Sequence, residues 1–104
     1  MNQFDVYIVD LNPAQGSEMK KIRPAVILSP NAMNKNLDTV IIAPLTHTIK
    51  RYPSRVSSLL EGEPGQVALD QMRTVDKSRL KEKQGRVDAT TAANIKDILQ
   101  TMFS

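Results

Sequence analysis

The chain has 104 residues, 40% of them hydrophobic, enough for one modest core and too few for two. Cysteine is absent, which excludes disulfide frameworks, thiolate metal sites and thiol nucleophiles together. No apolar run approaches the ~20 residues of a membrane helix, and Met1-Asn2-Gln3-Phe4-Asp5 lacks the basic-then-apolar pattern of a leader, so the expectation is a soluble, cytoplasmic protein with one domain over residues 1–104.

The formal charge of +3 is unevenly spread. Residues 1–55 hold seven basic side chains (Lys20, Lys21, Arg23, Lys35, Lys50, Arg51, Arg55) against four acidic ones (Asp5, Asp10, Glu18, Asp38), a balance of +3, whereas residues 56–104 hold seven of each. A basic first half suits a polyanion such as a phosphate backbone, and a solvated loop surface is the plain alternative.

Phe4–Val9 mixes β-branched and aromatic residues in rough alternation and stops at Asn12-Pro13, so a strand and a turn are expected there. Ala14–Arg23 is polar and reads as a loop. Pro24–Ser29 and Thr39–Pro44 are short apolar runs, expected to be buried strands on either side of a polar turn, Asn31–Asp38. Thr46–Pro53 reads as a second loop, Arg55–Leu60 as an edge strand, and Glu61–Gly65 as a turn. Gln66–Leu69 and Arg73–Val75 look extended, Asp76–Leu80 forms one helical turn, and Lys83–Val87 is a last short strand. From Asp88 the spacing changes: Ala92, Ile95, Ile98, Leu99 and Met102 recur at helical intervals, with Asp88 or Thr90 as N-cap. Many short strands and one helix predict a mainly β fold, a small antiparallel barrel or strongly bent sheet.

No metal-ligand spacing, phosphate-binding glycine loop or nucleophile elbow is present. His47 is the only histidine, which excludes a two-histidine ribonuclease mechanism within one chain. What remains is a set of polar residues at strand ends: Glu18, Arg23, Thr46, His47, Asp70 and Arg73.

Asp10-Leu11-Asn12-Pro13, Gly16-Ser17-Glu18 and Arg23-Pro24-Ala25-Val26-Ile27-Leu28-Ser29 together resemble the opening of the MazF/PemK toxin family. Ala43-Pro44-Leu45-Thr46, then Tyr52-Pro53, then Val67–Asp76 are similar to that family's later motifs in the same order. The resemblance implies an SH3-like barrel of the CcdB/PemK type with a C-terminal helix, and a homodimer. It also implies a MazE/PemI-like antitoxin, operator DNA as a target of the toxin–antitoxin complex, and sequence-specific cleavage of single-stranded RNA with no cofactor or metal. Such cleavage proceeds by attack of a 2′-hydroxyl on the adjacent phosphate. It needs a proton acceptor, a proton donor for the leaving oxygen, and fixed positive charge for the crowded phosphate.

Carried onto this sequence, the family pattern makes Arg23 the arginine before proline whose planar fork suits two phosphate oxygens. Thr46 becomes the threonine that orients the phosphate, although a strand-end threonine is otherwise only a good β-former. Glu18 is the acid of the Gly-Ser-Glu motif, placed to accept a proton or to hold Arg23. Asp70 falls where some PemK-type members have a cleavage-linked aspartate, and it equally suits a turn cap. His47, Lys50, Arg51 and Tyr52 share one loop and suit phosphate contacts and base stacking, with Lys20, Lys21 and Arg73 extending that track.

Several positions depart from the pattern. Ser17 stands where some members have histidine, Ala68 where they have arginine, Met19 where glutamine is common, and Asn2-Gln3-Phe4 replaces a frequent Arg-Gly pair. The opening Gln3-Phe4-Asp5-Val6-Tyr7 superficially resembles the gyrase-poisoning CcdB toxins, which act through a C-terminal Trp-Gly-Ile. This chain has no tryptophan and ends Thr101-Met102-Phe103-Ser104. An RNA- or antitoxin-binding module that has lost activity is a third reading.

Overall fold

The computed structural model describes residues 1–13, 16–18 and 21–104, so the expectations for Met19 and Lys20 fall outside the described residues. A bent antiparallel sheet of seven strands runs through β1 (Asp5–Asp10), β2 (Ile22–Ile27), β3 (Thr39–Thr46), β4 (Arg55–Leu60), β5 (Glu63–Ala68), β6 (Arg73–Asp76) and β7 (Leu80–Arg86). Helix α1 (Asn31–Asn36) joins β2 to β3, short 3-10 turns at Leu69–Gln71 and Lys77–Arg79 flank β6, and α2 (Ala89–Met102) follows β7. The strand order is β4-β5-β3-β2-β1-β7, with β6 paired to β3 off that path. This is the mainly β, barrel-like architecture with a C-terminal helix that the sequence predicts.

The central strands read as unbroken apolar runs because both of their faces are buried. Val26 and Leu28 of the second strand region, with Ala43 and Leu45 of β3, join Phe4, Val56, Val67, Leu69 and Ile95 in one core cluster. The alternate residues Ala25, Ile27, Val40 and Ile42 join Val9, Leu11 and Val75 in another. Ile95 is fully buried and Ala92, Ile98 and Leu99 pack beside it, so the apolar stripe of α2 covers the first cluster. Asp88 is its N-cap, its carboxylate accepting the Thr91 amide at 2.7 Å.

Three local expectations are corrected. The polar stretch after Pro30 is a helix, α1, and not a turn. Asn34 is buried and braced, donating to the Ser29 carbonyl at 2.9 Å and accepting from the Ser29 hydroxyl at 2.6 Å, so local polar bonds stand in for the missing apolar periodicity. The turn expected over Glu61–Gly65 shrinks to Glu61-Gly62, both at positive φ, between the paired residues Leu60 and Glu63. This is the geometry of a two-residue hairpin whose twist matches the strands, and glycine at the second position removes the steric penalty. Pro64 is tolerated within β5 because its carbonyl faces His47 at 3.2 Å, so its missing N–H also faces away from the β4 ladder. Finally, β2 begins at Ile22, two residues before the apolar run, which moves Arg23 from the expected loop into the strand.

Candidate active site

Because β1, β2 and β3 alternate in direction, the β1–β2 and β3–β4 connections leave the same end of the sheet. Arg23 stands near the start of β2, paired with Val9 of β1, and Thr46 is the last residue of β3. The β2–β3 ladder ends at Ala25 opposite Pro44, after which Leu45 and Thr46 pair with β5. Arg23 lies two residues before Ala25 and Thr46 two residues after Pro44, so each stands just past the last pair of that ladder. Strand alternation puts both on the face of Ala25 and Ile42, at the mouth where the two strands part.

Arg23 is half-buried, whereas Thr46 is 4% exposed. The Thr46 hydroxyl oxygen accepts the Thr48 amide at 3.1 Å, which turns the chain out of β3 and leaves the hydroxyl hydrogen to donate elsewhere. Glu18 is exposed on the β1–β2 connection. The ends of that connection are clamped: Leu11 donates to the Lys21 carbonyl at 3.0 Å, and Lys21 donates from its amide to the Asn12 side chain at 2.9 Å. Arg79 donates to the carbonyls of Asp10 and Asn12. Arg73, expected to contact substrate, gives one guanidinium nitrogen to the Leu11 carbonyl at 3.1 Å and so helps hold the exit of β1. Lys21 is exposed at the start of β2, on the same rim as Arg23.

The β3–β4 loop carries the other expected contacts. His47 is exposed, and its Nδ1 lies 3.2 Å from the Pro64 carbonyl oxygen, which can only accept. Lys50, Arg51 and Tyr52 are all exposed. The main chain of Lys50 is nevertheless fixed from below: its amide donates to Gln66 Oε1 at 3.1 Å and its carbonyl accepts from Gln66 Nε2 at 3.0 Å.

Asp70 follows β5 in a 3-10 turn, where Arg55 donates to both of its oxygens and Ser54 donates to one at 3.0 Å. Burial alone raises this carboxyl, but the hydrogen bonds from Arg55 and Ser54 outweigh it and hold Asp70 below the ordinary carboxylate value. Asp70 is therefore an engaged anion at neutral pH, better suited to holding Arg55 than to donating a proton. The Arg55 guanidinium in turn lies 5.2 Å from the centre of the Tyr52 ring.

The structure thus brings Arg23 and Thr46 to one rim, and sets His47, Lys50, Arg51 and Tyr52 on the neighbouring loop. Sequence reasoning missed the braces, Arg55, Gln66, Ser54 and Arg79. The one available signal was Gln66, a polar side chain opening the apolar stretch Val67-Ala68-Leu69.

A bent antiparallel sheet with a C-terminal helix has clear counterparts. Residues 2–103 match the family model described as PemK-like, MazF-like toxin of type II toxin-antitoxin system. The chain is 43% identical over 89 residues, 80% of its length and 74% of the relative's, to the endoribonuclease MazF of Staphylococcus saprophyticus. It superposes on crystalline MazF from Deinococcus radiodurans with a TM-score of 0.85 at 28% identity, covering 98% of this chain and 94% of that one. A mycobacterial endoribonuclease in complex with its cognate antitoxin is similar at a TM-score of 0.81 and 27% identity, over 97% and 92% of the two chains. The chain belongs to the PemK/MazF family of type II toxin–antitoxin toxins.

Proposed function

We propose that this chain is the single-domain toxin of a toxin–antitoxin pair, a sequence-specific, metal-independent endoribonuclease that cuts single-stranded mRNA and so stops translation and growth. The observation that carries the reading is the position of Arg23 and Thr46 at the open end of the β2–β3 ladder, in a chain 43% identical to a protein named endoribonuclease MazF.

In the reaction, the 2′-oxygen of one ribose attacks the phosphorus of its own 3′-phosphodiester, and the bond from that phosphorus to the next 5′-oxygen breaks. The products are a 2′,3′-cyclic phosphate and a 5′-hydroxyl. The Arg23 fork carries the charge that grows on the non-bridging oxygens, because a guanidinium keeps its proton and so serves best as fixed positive charge. The Thr46 hydroxyl donates to one of those oxygens and sets the phosphate in line. Glu18 takes the 2′-proton or fixes the Arg23 fork, and a second group delivers a proton to the leaving oxygen. Asp70 acts through Arg55, keeping the loop base in place. Lys20, Lys21, Lys50 and Arg51 hold flanking phosphates, Tyr52 stacks a base, and His47 contacts the strand.

The active form is a homodimer in the cytoplasm, neutralised by a MazE/PemI-like antitoxin that covers this rim, and the complex binds operator DNA. The antitoxin part of this reading draws on the mycobacterial relative crystallised with its cognate antitoxin. Among the described residues, no helix is long and apolar enough to cross a membrane.

The test is incubation of purified protein with a long single-stranded RNA in EDTA, followed by mapping of the ends. Discrete cuts bearing 5′-hydroxyls are expected. Intact RNA, or ends bearing 5′-phosphates, overturns the assignment.

A further inference from the structure

We infer that Gln66 is the positioning residue for the RNA-contacting β3–β4 loop, its side-chain amide holding the Lys50 main chain in the way a neighbouring strand would. The inference rests on the functional reading above and adds to it a determinant of which nucleotides flank the cut.

Gln66 lies in β5 directly across from Thr46, and it is 7% exposed. Its backbone belongs to the sheet, while its side chain reaches past the end of β3 and closes a two-bond ring with Lys50, donor to carbonyl and acceptor to amide. A primary amide offers both roles on one planar group, so it reproduces what a strand neighbour supplies and leaves neither main-chain group of Lys50 unsatisfied. The approach is close: a side-chain carbon added at Gly65 would meet the Thr46 carbonyl oxygen at 2.9 Å, so this part of β5 is pressed against the end of β3.

The hold is one of a series. Thr48 is tied to the Thr46 hydroxyl, Lys50 to Gln66, and the Tyr52 carbonyl accepts the Arg55 amide at 3.1 Å. Arg55 Nη1 also reaches Gln66 Oε1 at 3.4 Å, which links the Gln66 amide to the Arg55–Asp70 pair under Tyr52. Alternate residues of the loop are therefore pinned to the sheet, and the segment bearing Lys50, Arg51 and Tyr52 is held in one shape before any nucleic acid arrives. A pre-shaped loop binds more tightly and discriminates better than one that must be ordered by its ligand. Since the hold sits beside Thr46 and not at the reacting phosphate, its loss acts on binding and on site choice, with the chemical step preserved.

The experiment uses Gln66→Leu, which keeps the volume and removes both polar roles, and Gln66→Asn, which keeps the polarity and shortens the reach. Each is assayed on one long mixed-sequence RNA for kcat, KM and the distribution of cut sites, and by hydrogen exchange at the Lys50 amide. Gln66→Leu is expected to raise KM about tenfold, to leave kcat within about twofold, to add cut sites, and to speed Lys50 exchange. Gln66→Asn shifts each readout the same way, and it decides the matter alone should Gln66→Leu fail to fold. Unchanged KM and an unchanged cut pattern overturn the inference, as does a fall in kcat at constant KM. If the wild type cuts no RNA, the activity assignment fails by itself. Affinity for the uncut strand then still decides the role of Gln66, with equal affinity in wild type and variants overturning it.

Discussion

Arg55 closes on Asp70 through two parallel contacts, Nε to Oδ1 at 2.7 Å and Nη2 to Oδ2 at 3.2 Å. The Arg55 side chain is 5% exposed and that of Asp70 27%, so a nearly buried cation depends on one partly exposed anion. Removing the anion leaves the guanidinium in a site it does not tolerate alone. Asp70→Asn is expected to lower stability by about 1–2 kcal/mol, between the range of exposed pairs and that of buried ones. Urea unfolding at neutral pH measures this, and an unchanged midpoint would show that solvent already serves Arg55.

The same pair predicts a pH dependence. Burial works against ionisation of Asp70, but the bonds from Arg55 and Ser54 prevail and its carboxyl is held low. A carboxylate with a depressed folded value stabilises the fold above its unfolded value, about 3.9, and loses that contribution as pH falls through the folded value. The stability gap between wild type and Asp70→Asn should stay level from about pH 7 down to about pH 5 and narrow below about pH 4. A gap that changes between about pH 8 and about pH 6 would assign it to a group other than this carboxyl.

Arg23→Ala should reduce RNA cleavage by about a hundredfold or more, the usual loss when a group facing developing charge is removed. Its circular dichroism and melting should stay close to wild type, because the side chain is only half-buried at a strand start. Thr46→Val keeps the shape of a buried residue but removes the hydroxyl that accepts the Thr48 amide. It should lower cleavage about tenfold and stability by about 1 kcal/mol. Full activity in Thr46→Val would restrict this threonine to the role of a β-former.

Raising the salt concentration should weaken RNA binding with a straight dependence of log affinity on log salt. The loop cations Lys50 and Arg51 are exposed and free to meet phosphates, so Arg51→Ala should make that slope shallower by roughly one ion. Binding that is indifferent to salt would mean that the basic first half serves solvation alone.

Asp88 offers a contrast. Its bond to the Thr91 amide caps α2, and the backbone and side-chain bonds at that cap hold its carboxyl low. Asp88→Ala should lower the melting temperature while kcat and cut sites remain those of wild type, and a changed cut pattern would show that α2 participates in site choice.

Much of this was legible in the chain, for reasons that differ by element. The edge strand Arg55–Leu60 and the helix after Asp88 were readable because each is marked by residues near in sequence, a short run bounded by Pro53 and the turn at Glu61 in one case and an N-cap with helical spacing in the other. Helix α1 was not readable, since its stability comes from the Ser29–Asn34 bonds and not from an apolar face. Arg23 and Thr46 stood out through their motifs, but that both flank the open end of one ladder depends on the pairing of β2 with β3. The Arg55–Asp70 pair, fifteen residues apart, and the hold of Gln66 on Lys50 exist only once β4, β5 and the loop are registered. In sequence alone, Arg55 was one more charge in a basic half, and Asp70 was singled out only through the family pattern, with a turn cap as its plain alternative.

The central claim is that Arg23 and Thr46 hold a phosphate while the neighbouring 2′-oxygen attacks it, and one substrate tests that directly: a cleavable RNA with a single deoxyribose just 5′ of the scissile phosphate. The account predicts that this strand binds as tightly as the all-ribose one and is left uncut at that linkage. Cleavage there at the normal rate would mean that the nucleophile comes from water or the protein, and the assigned chemistry would be wrong.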